Sequence, residues 1–329
     1  MTLPKLSIGA LGGTVSMQAK SAGEGVTPAV TGEAMLASLP ELTELALINV
    51  ETLCLLPSAS LDFEQLLSVL RWAKAQVEQG ATGVVLTQGT DTLEESAYFL
   101  DLLWDLDAPL VMTGAMRSAS QVGADGPANL MAAIKVALDK NSRRRGVQVV
   151  MNDQVHAAAW VRKSDALAVD AFTSPLFGPV GVMVEGRVQY LSEPPLERMT
   201  LPYPGKTHHR VALLEAVLGA DIQLLEQIVR LGYDGLVIAG FGAGHVAAQW
   251  AERIGRIAEK LPVVIASRTG SGTTAQHSYG FVGGEMDLQG RGAVMAGFLC
   301  PRKSRILLWL LIGCGMQRKV RECFSNVPL

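Results

Sequence analysis

The chain has 329 residues, 49% of them hydrophobic and 18% charged, a globular balance with room for two domains at ~100–200 residues each. Its 28 basic and 31 acidic residues leave a net charge of −3. That excludes the strong positive field on which binding to nucleic acid or an anionic membrane depends.

The N-terminal "MTLPKLSIGALGGT" runs almost directly into a strand, with no basic stretch ahead of a long apolar one, so no signal peptide is expected. Short apolar runs then alternate with amphipathic stretches. Leu61–Gln79 puts Phe63, Leu66, Leu67, Leu70, Ala73 and Val77 on one helical face, with Gly80 as the stop. Gly83–Thr87, Pro109–Thr113 and Val147–Met151 read as buried strands. Leu93–Leu106 and Leu130–Leu138 read as helices, and Pro127 suits the first turn of the second. Arg143-Arg144-Arg145 reads as a solvated turn.

The stretch Ser192–Arg210 carries four prolines and no apolar periodicity, and reads as a linker between residues 1–191 and 211–329. Beyond it, strands are predicted at Arg210–Leu214, Gly235–Ala239 and Pro262–Ala266, and helices at Asp221–Leu231 and Ala247–Lys260. Ser304–Ile312 is apolar enough to be a buried element. Its core, Ile306–Ile312, falls far short of the ~18 residues of a membrane span. The alternation implies an α/β protein: a larger N-terminal domain on a mixed or parallel sheet, then a smaller C-terminal α/β domain on a parallel sheet.

Cys54, Cys300, Cys314 and Cys323 form no C-x-x-C pair, which excludes a zinc ribbon or a dense disulfide scaffold and suits a reducing compartment. The cytoplasm is the expected location. The five histidines show no metal-binding spacing. His208-His209 falls in the linker and is expected to be exposed, while His245 follows a strand and is the one with functional interest.

Polar and glycine residues gather after the predicted strands, where open α/β sheets place their ligands. Gly12-Gly13-Thr14 lacks both the lysine of a phosphate-binding loop and the G-x-G-x-x-G dinucleotide spacing, so it reads as a tight turn that admits close approach. Gln88-Gly89-Thr90-Asp91 supports two readings. Thr90 or Asp91 could cap the next helix, with Glu94 or Glu95 completing a capping box. Alternatively, a hydroxyl and a carboxylate stand beside helix N–H groups that would steady an oxyanion. Lys163 read alone is a surface lysine. Desolvated beside a hydroxyl, it could take that hydroxyl's proton. No G-x-S-x-G elbow occurs.

Taken together, Gly12-Gly13-Thr14, "LTQGTDTLEESAYFL" (86–100), "VMTGAMRSASQVGADGPANL" (111–130) and "GVQVVMNDQV" (146–155) resemble the bacterial-type L-asparaginases. "GLVIAGFGAGH" (235–245) and "GFLCPRKSRILLWLL" (297–311) carry the resemblance across nearly the whole chain. It implies hydrolysis of L-asparagine to L-aspartate and ammonia, with L-glutamine as a second candidate substrate and no metal or organic cofactor. Thr14 resembles the nucleophile that forms the acyl-enzyme. Thr90, Asp91 and Lys163 resemble a second catalytic cluster, in which Asp91 also holds the substrate α-ammonium. Ser58 matches the serine on the α-carboxylate, and Ala59 and Gly89 complete the implied substrate contacts. A homodimer or homotetramer is implied, with sites at a dimer contact.

Two departures from the family pattern stand out. Many members place a tyrosine on the loop after the glycine turn, but residues 15–33 contain none, and Val26 aligns near its position. Ser16 and Thr27 are the hydroxyls at hand there, and the loop's glycines suggest a lid over residues 17–30. Ala59 follows Ser58 where well-known members carry glutamine or glutamate. His245 stands where some relatives carry asparagine. The competing readings are an amino-acid-binding protein of weak activity and the glutaminase-like subunit of a tRNA-dependent amidotransferase. The absence of a further N-terminal domain and of a basic surface argues against the latter.

Overall fold

The structure, a computed structural model, describes residues 3–13, 17–19, 26–28 and 40–327. Thr14, Ser16 and the 15–33 loop, apart from two three-residue strands, lie outside the described residues, so the lid expectation falls largely outside them too. The chain divides into two compact units, Met1–Thr200 and Leu201–Leu329.

In the first unit the elements run β1 (Lys5–Ala10), β2 (Met17–Ala19), β3 (Val26–Pro28), β4 (Leu47–Thr52), α1 (Phe63–Glu78), β5 (Gly83–Thr87), α2 (Leu93–Asp101), β6 (Leu110–Thr113), α3 (Gly126–Leu138), β7 (Val147–Met151), β8 (Gln154–Ala157), β9 (Arg162–Lys163), β10 (Phe172–Thr173), β11 (Gly181–Val184) and β12 (Arg187–Tyr190). Eight of these strands form one sheet in the order β12-β11-β8-β7-β6-β5-β1-β4. From β4 to β7 the pairing is parallel, and from β7 to β12 it is antiparallel. The sheet is therefore mixed. Every residue of β5, β6 and β7 is buried, as strands covered on both faces require.

The helices begin and end for local reasons. Asp62 and Gln65 close a reciprocal capping box at the start of α1, each side chain accepting the other's backbone N–H at 2.8 Å. Gly80, with φ +96°, turns the chain after its end. Leu66, Leu67, Val69, Leu70 and Ala73 are its buried face, with Phe63 and Val77 only half-buried at the ends. α2 stops at Asp101, short of the predicted Leu106. The Asp101 carboxylate accepts the Val147 N–H at 2.8 Å, and the residues beyond turn inward to bury Trp104. α3 begins at Gly126, four residues before the predicted start, with Pro127 in its first turn.

Two local expectations are corrected. Arg145 is not solvated with its neighbours: its guanidinium lies 3.7 Å from the centre of the Tyr190 ring. His209, in the second unit, is half-buried. Its Nε2 donates to the Trp309 carbonyl at 2.7 Å, and its ring packs on the Trp309 indole.

The second unit runs β13 (Val211–Glu215), α4 (Gln223–Arg230), β14 (Gly235–Gly240), α5 (Ala248–Ala258), β15 (Val263–Ser267), α6 (Glu285–Gly290), β16 (Val294–Met295), α7 (Pro301–Gly313) and α8 (Val320–Ser325). Its four strands form a parallel sheet in the order β13-β14-β15-β16. Residues 306–312 of α7 are all buried, the pattern of a helix apolar all round. Among the described residues no helix is long and apolar enough to cross a membrane.

Candidate active site

β1 and β5 are parallel neighbours in register, Ala10 against Thr87, so both chains leave the sheet at the same edge. The Leu11 N–H donates to the Thr87 carbonyl at 2.9 Å. Gly12 and Gly13 follow, with φ of +87° and +90°, conformations that L side chains rarely adopt. A Cβ on Gly13 would stand 2.1 Å from the Gly89 nitrogen, and one on Gly12 2.7 Å from the Leu56 carbonyl oxygen. A Cβ on Gly89 would in turn meet Ser58 Oγ at 2.7 Å. These glycines let three loops touch backbone to backbone: the turn that leads into Thr14, the segment holding Ser58, and the loop after β5. Ser58 is buried in this nest, whereas Ala59 beside it is exposed. Thr14, the expected nucleophile, lies outside the described residues.

Thr90 is buried at the mouth of the β5 loop. Lys163 comes from β9 and reaches it across the unit. Its Nζ donates to Thr90 Oγ1 at 2.9 Å and to Asp91 Oδ1 at 2.8 Å. The lysine side chain is 15% exposed and the Asp91 side chain 69%. Such a half-open ion pair adds little stability, and its consequence is placement: one ammonium fixed between a buried hydroxyl and a solvent-facing carboxylate. The capping reading of this loop is overturned. The N-cap of α2 is Thr92, whose side chain makes no capping hydrogen bond. Thr90 and Asp91 are turned to Lys163 instead.

Sequence reasoning gave Thr92, Asp125 and Asn129 no role and read Glu94 as a capping residue, yet these residues brace the cluster. The Thr92 hydroxyl donates to the Ser58 carbonyl at 2.9 Å and accepts from Gln88 Nε2 at 3.2 Å, tying the two loops together. Glu94, buried in the first turn of α2, accepts the backbone N–H of Lys163 at 2.6 Å. Asp125 accepts the backbone N–H groups of Met116 and Arg117 and the Asn129 amide, and Asn129 donates to the Gly114 carbonyl. The "GAMR" and "ADGPANL" segments are thus one interlocked support. The signal in the sequence was the number of buried-type polar residues with no apolar period to explain them.

His245 follows β14 in the second unit. Its Nε2 lies 3.3 Å from Glu285 Oε2, and the Tyr279 and Phe281 rings meet it edge-on. Glu285 is fully buried. Burial pushes its carboxyl up, but N–H donation from Tyr279 and Ser278 and the His245 contact bring it below the usual carboxylate range.

A mixed eight-stranded-sheet unit in which a hydroxyl, a carboxylate and a lysine meet, followed along the chain by a four-stranded parallel-sheet unit, defines a two-unit α/β protein. The chain matches the family description "Asparaginase, N-terminal" over residues 5–196 and "Glutaminase/Asparaginase C-terminal domain" over residues 210–324. It belongs to the asparaginase family. It is 33% identical to L-asparaginase 2 of Escherichia coli over 320 residues, covering 95% of this chain and 90% of that one. It is 34% identical to a probable periplasmic L-asparaginase of Haemophilus influenzae, covering 94% and 89%. The crystal structure of a probable cytoplasmic L-asparaginase from Campylobacter jejuni superposes with a TM-score of 0.85 at 31% identity, covering 98% of this chain and 99% of that one.

Proposed function

We propose that this protein hydrolyses L-asparagine to L-aspartate and ammonia through an acyl-enzyme on Thr14, with Thr90, Asp91 and Lys163 as a second cluster that moves the proton. The observation that carries the proposal is the convergence of Lys163 Nζ on Thr90 Oγ1 and Asp91 Oδ1 across 72–73 residues of chain.

In the first half-reaction the Thr14 hydroxyl oxygen attacks the side-chain amide carbon. The C–N bond breaks as the ester forms, and the hydroxyl proton leaves with the nitrogen as ammonia. Water then attacks the ester, the bond to Thr14 breaks, and the proton returns to Thr14 as aspartate departs. Thr90 accepts from Lys163 and so keeps its own hydroxyl proton free to donate towards the reacting group. Lys163 resupplies that proton, and Asp91 holds the lysine nitrogen in place between transfers. Asp91 also has exposed surface to receive the substrate α-ammonium, while Ser58 donates to the α-carboxylate. The Gly89 backbone and Ala59 complete the pocket. Ala59 offers no polar contact, and one methylene separates asparagine from glutamine, a difference worth only ~1–3 kcal/mol in a pocket. L-glutamine is therefore included as a slower substrate.

Two finer assignments accompany this one. The working form is a homodimer or homotetramer, consistent with Tyr279, Phe281 and Val282 each standing about half exposed on the second unit. The location is the cytoplasm, consistent with four free cysteines.

The test is ammonia release from L-asparagine, with L-glutamine and D-asparagine in parallel. Fast release from L-asparagine is expected. Thr90→Val, nearly isosteric, should lower kcat by about 10²–10⁴-fold with the fold intact. A folded protein that binds L-aspartate yet releases no ammonia from any of the three would be an amino-acid-binding relative of the family instead.

A further inference from the structure

We infer that Glu94 is a positioning residue for Lys163, holding the main chain of the lysine so that its ammonium reaches Thr90 and Asp91. The inference rests on the role proposed above for Lys163.

Lys163 sits on a poor foundation. Its strand, β9, is two residues long, and among the described residues it pairs with the equally short β10, with Lys163 opposite Phe172. This pair forms a separate two-stranded ladder outside the hydrogen-bonded order of the eight-stranded sheet. A ladder of that size has little stability of its own. The lysine side chain is also long, so a small displacement of its backbone becomes a loss of reach at Nζ.

Glu94 answers this weakness from the other side. It lies four residues after Thr90, in the first turn of α2, and as a residue is 2% exposed. Its Oε2 accepts the Lys163 N–H at 2.6 Å, a charge-assisted bond in a desolvated place. The segment 90–94 therefore grips Lys163 at both ends. Thr90 and Asp91 take the ammonium, and Glu94 takes the peptide nitrogen. Because all three come from one loop-helix junction, the lysine is referenced directly to the hydroxyl it serves. Its placement does not depend on the accumulated geometry of the intervening chain. β10 is steadied separately, where Ser174 Oγ meets His156 Nδ1 at 2.9 Å.

Four measurements test this. Glu94→Ala should lower kcat by about 10²-fold, the cost of a catalytic group displaced by about 1 Å, with KM changed far less. Glu94→Gln keeps an acceptor oxygen and should restore much of that loss, whereas Glu94→Met, of similar size without an acceptor oxygen, should not, although a simple packing role would predict rescue by both. In a Lys163→Met background, Glu94→Ala should cost less than about twofold more, because the two residues act as one unit. Amide exchange at Lys163 should quicken in Glu94→Ala while the β5 amides stay protected. Wild-type kcat in Glu94→Ala, or an equal loss in the Lys163→Met background, would overturn the inference. An inactive wild type would instead overturn asparagine hydrolysis. The exchange arm would then decide alone: unchanged protection at Lys163 would sink the contact, and lost protection would support it.

Discussion

Gly13 and Gly80 share nearly the same backbone conformation, with φ of +90° and +96°, yet they answer to different constraints. An added Cβ at Gly80 meets nothing within 4 Å, while one at Gly13 lands 2.1 Å from a backbone nitrogen of the β5 loop. Gly80→Ala should therefore cost only the strain of the left-handed region, about 1–2 kcal/mol. Gly13→Ala adds a backbone collision that no rotamer can relieve, and should cost more than about 4 kcal/mol. Urea denaturation of the two variants measures the difference directly. Equal costs would mean that the Gly13–Gly89 approach relaxes freely and is not what sets the site. The comparison separates two reasons for a glycine that look the same in sequence: the turn, and the close approach.

At the scale of elements, what could be read from the sequence depended on length and burial. β5 and β7 fall on their predicted residues, because a five-residue apolar run bounded by polar residues has few other uses in an α/β chain. The antiparallel end of the sheet was not legible as strands, since β8, β11 and β12 are four residues long and partly exposed. Its turns did leave a trace: Asn152-Asp153 and Glu185-Gly186 both take positive φ at two-residue hairpin turns. The link between Thr90 and Lys163 could not be read from spacing at all, because it depends on the two-residue β9 and on Glu94, which looked like a capping residue. Only the family resemblance brought these residues together before the fold did. α7 shows the opposite case, a long apolar run whose burial was plain and is complete. Leu308, at its centre, is 0% exposed. Leu308→Ala should cost about 2–5 kcal/mol. Leu224→Ala on α4, 59% exposed in the native protein, should stay within about 0.5 kcal/mol. Thermal or denaturant unfolding reads both, and a small loss at Leu308 would mean that α7 repacks.

For the whole molecule, the charge is nearly balanced, and two shifted groups mark its expected pH limits, the buried Glu285 in one unit and the half-buried Tyr190 in the other. Glu285 in the second unit is held below its unfolded value of 4.5. The stability it contributes is complete above that pH and is lost as pH falls through its folded value. Tyr190 in the first unit moves the other way. Burial, more than any neighbour, pushes its hydroxyl from 10.0 up to about 12, against hydrogen bonds with Ser142 and Gln148 and the Arg145 guanidinium. Its contribution is complete below pH 10 and is lost between pH 10 and about 12, where the unfolded chain ionises more readily than the folded one. Acid should therefore loosen residues 278–285 of the second unit first, and alkali should loosen the β12 edge of the first. Amide exchange across a pH series resolves the two units separately. Glu285→Gln should be weaker at neutral pH but flatter in acid, and Tyr190→Phe flatter in alkali. If either variant kept the wild-type slope in its own limb, that limb would be governed by the exposed pairs, such as Lys74–Asp105 at 2.6 Å, and molar salt, which screens exposed pairs far more than buried ones, would then move it.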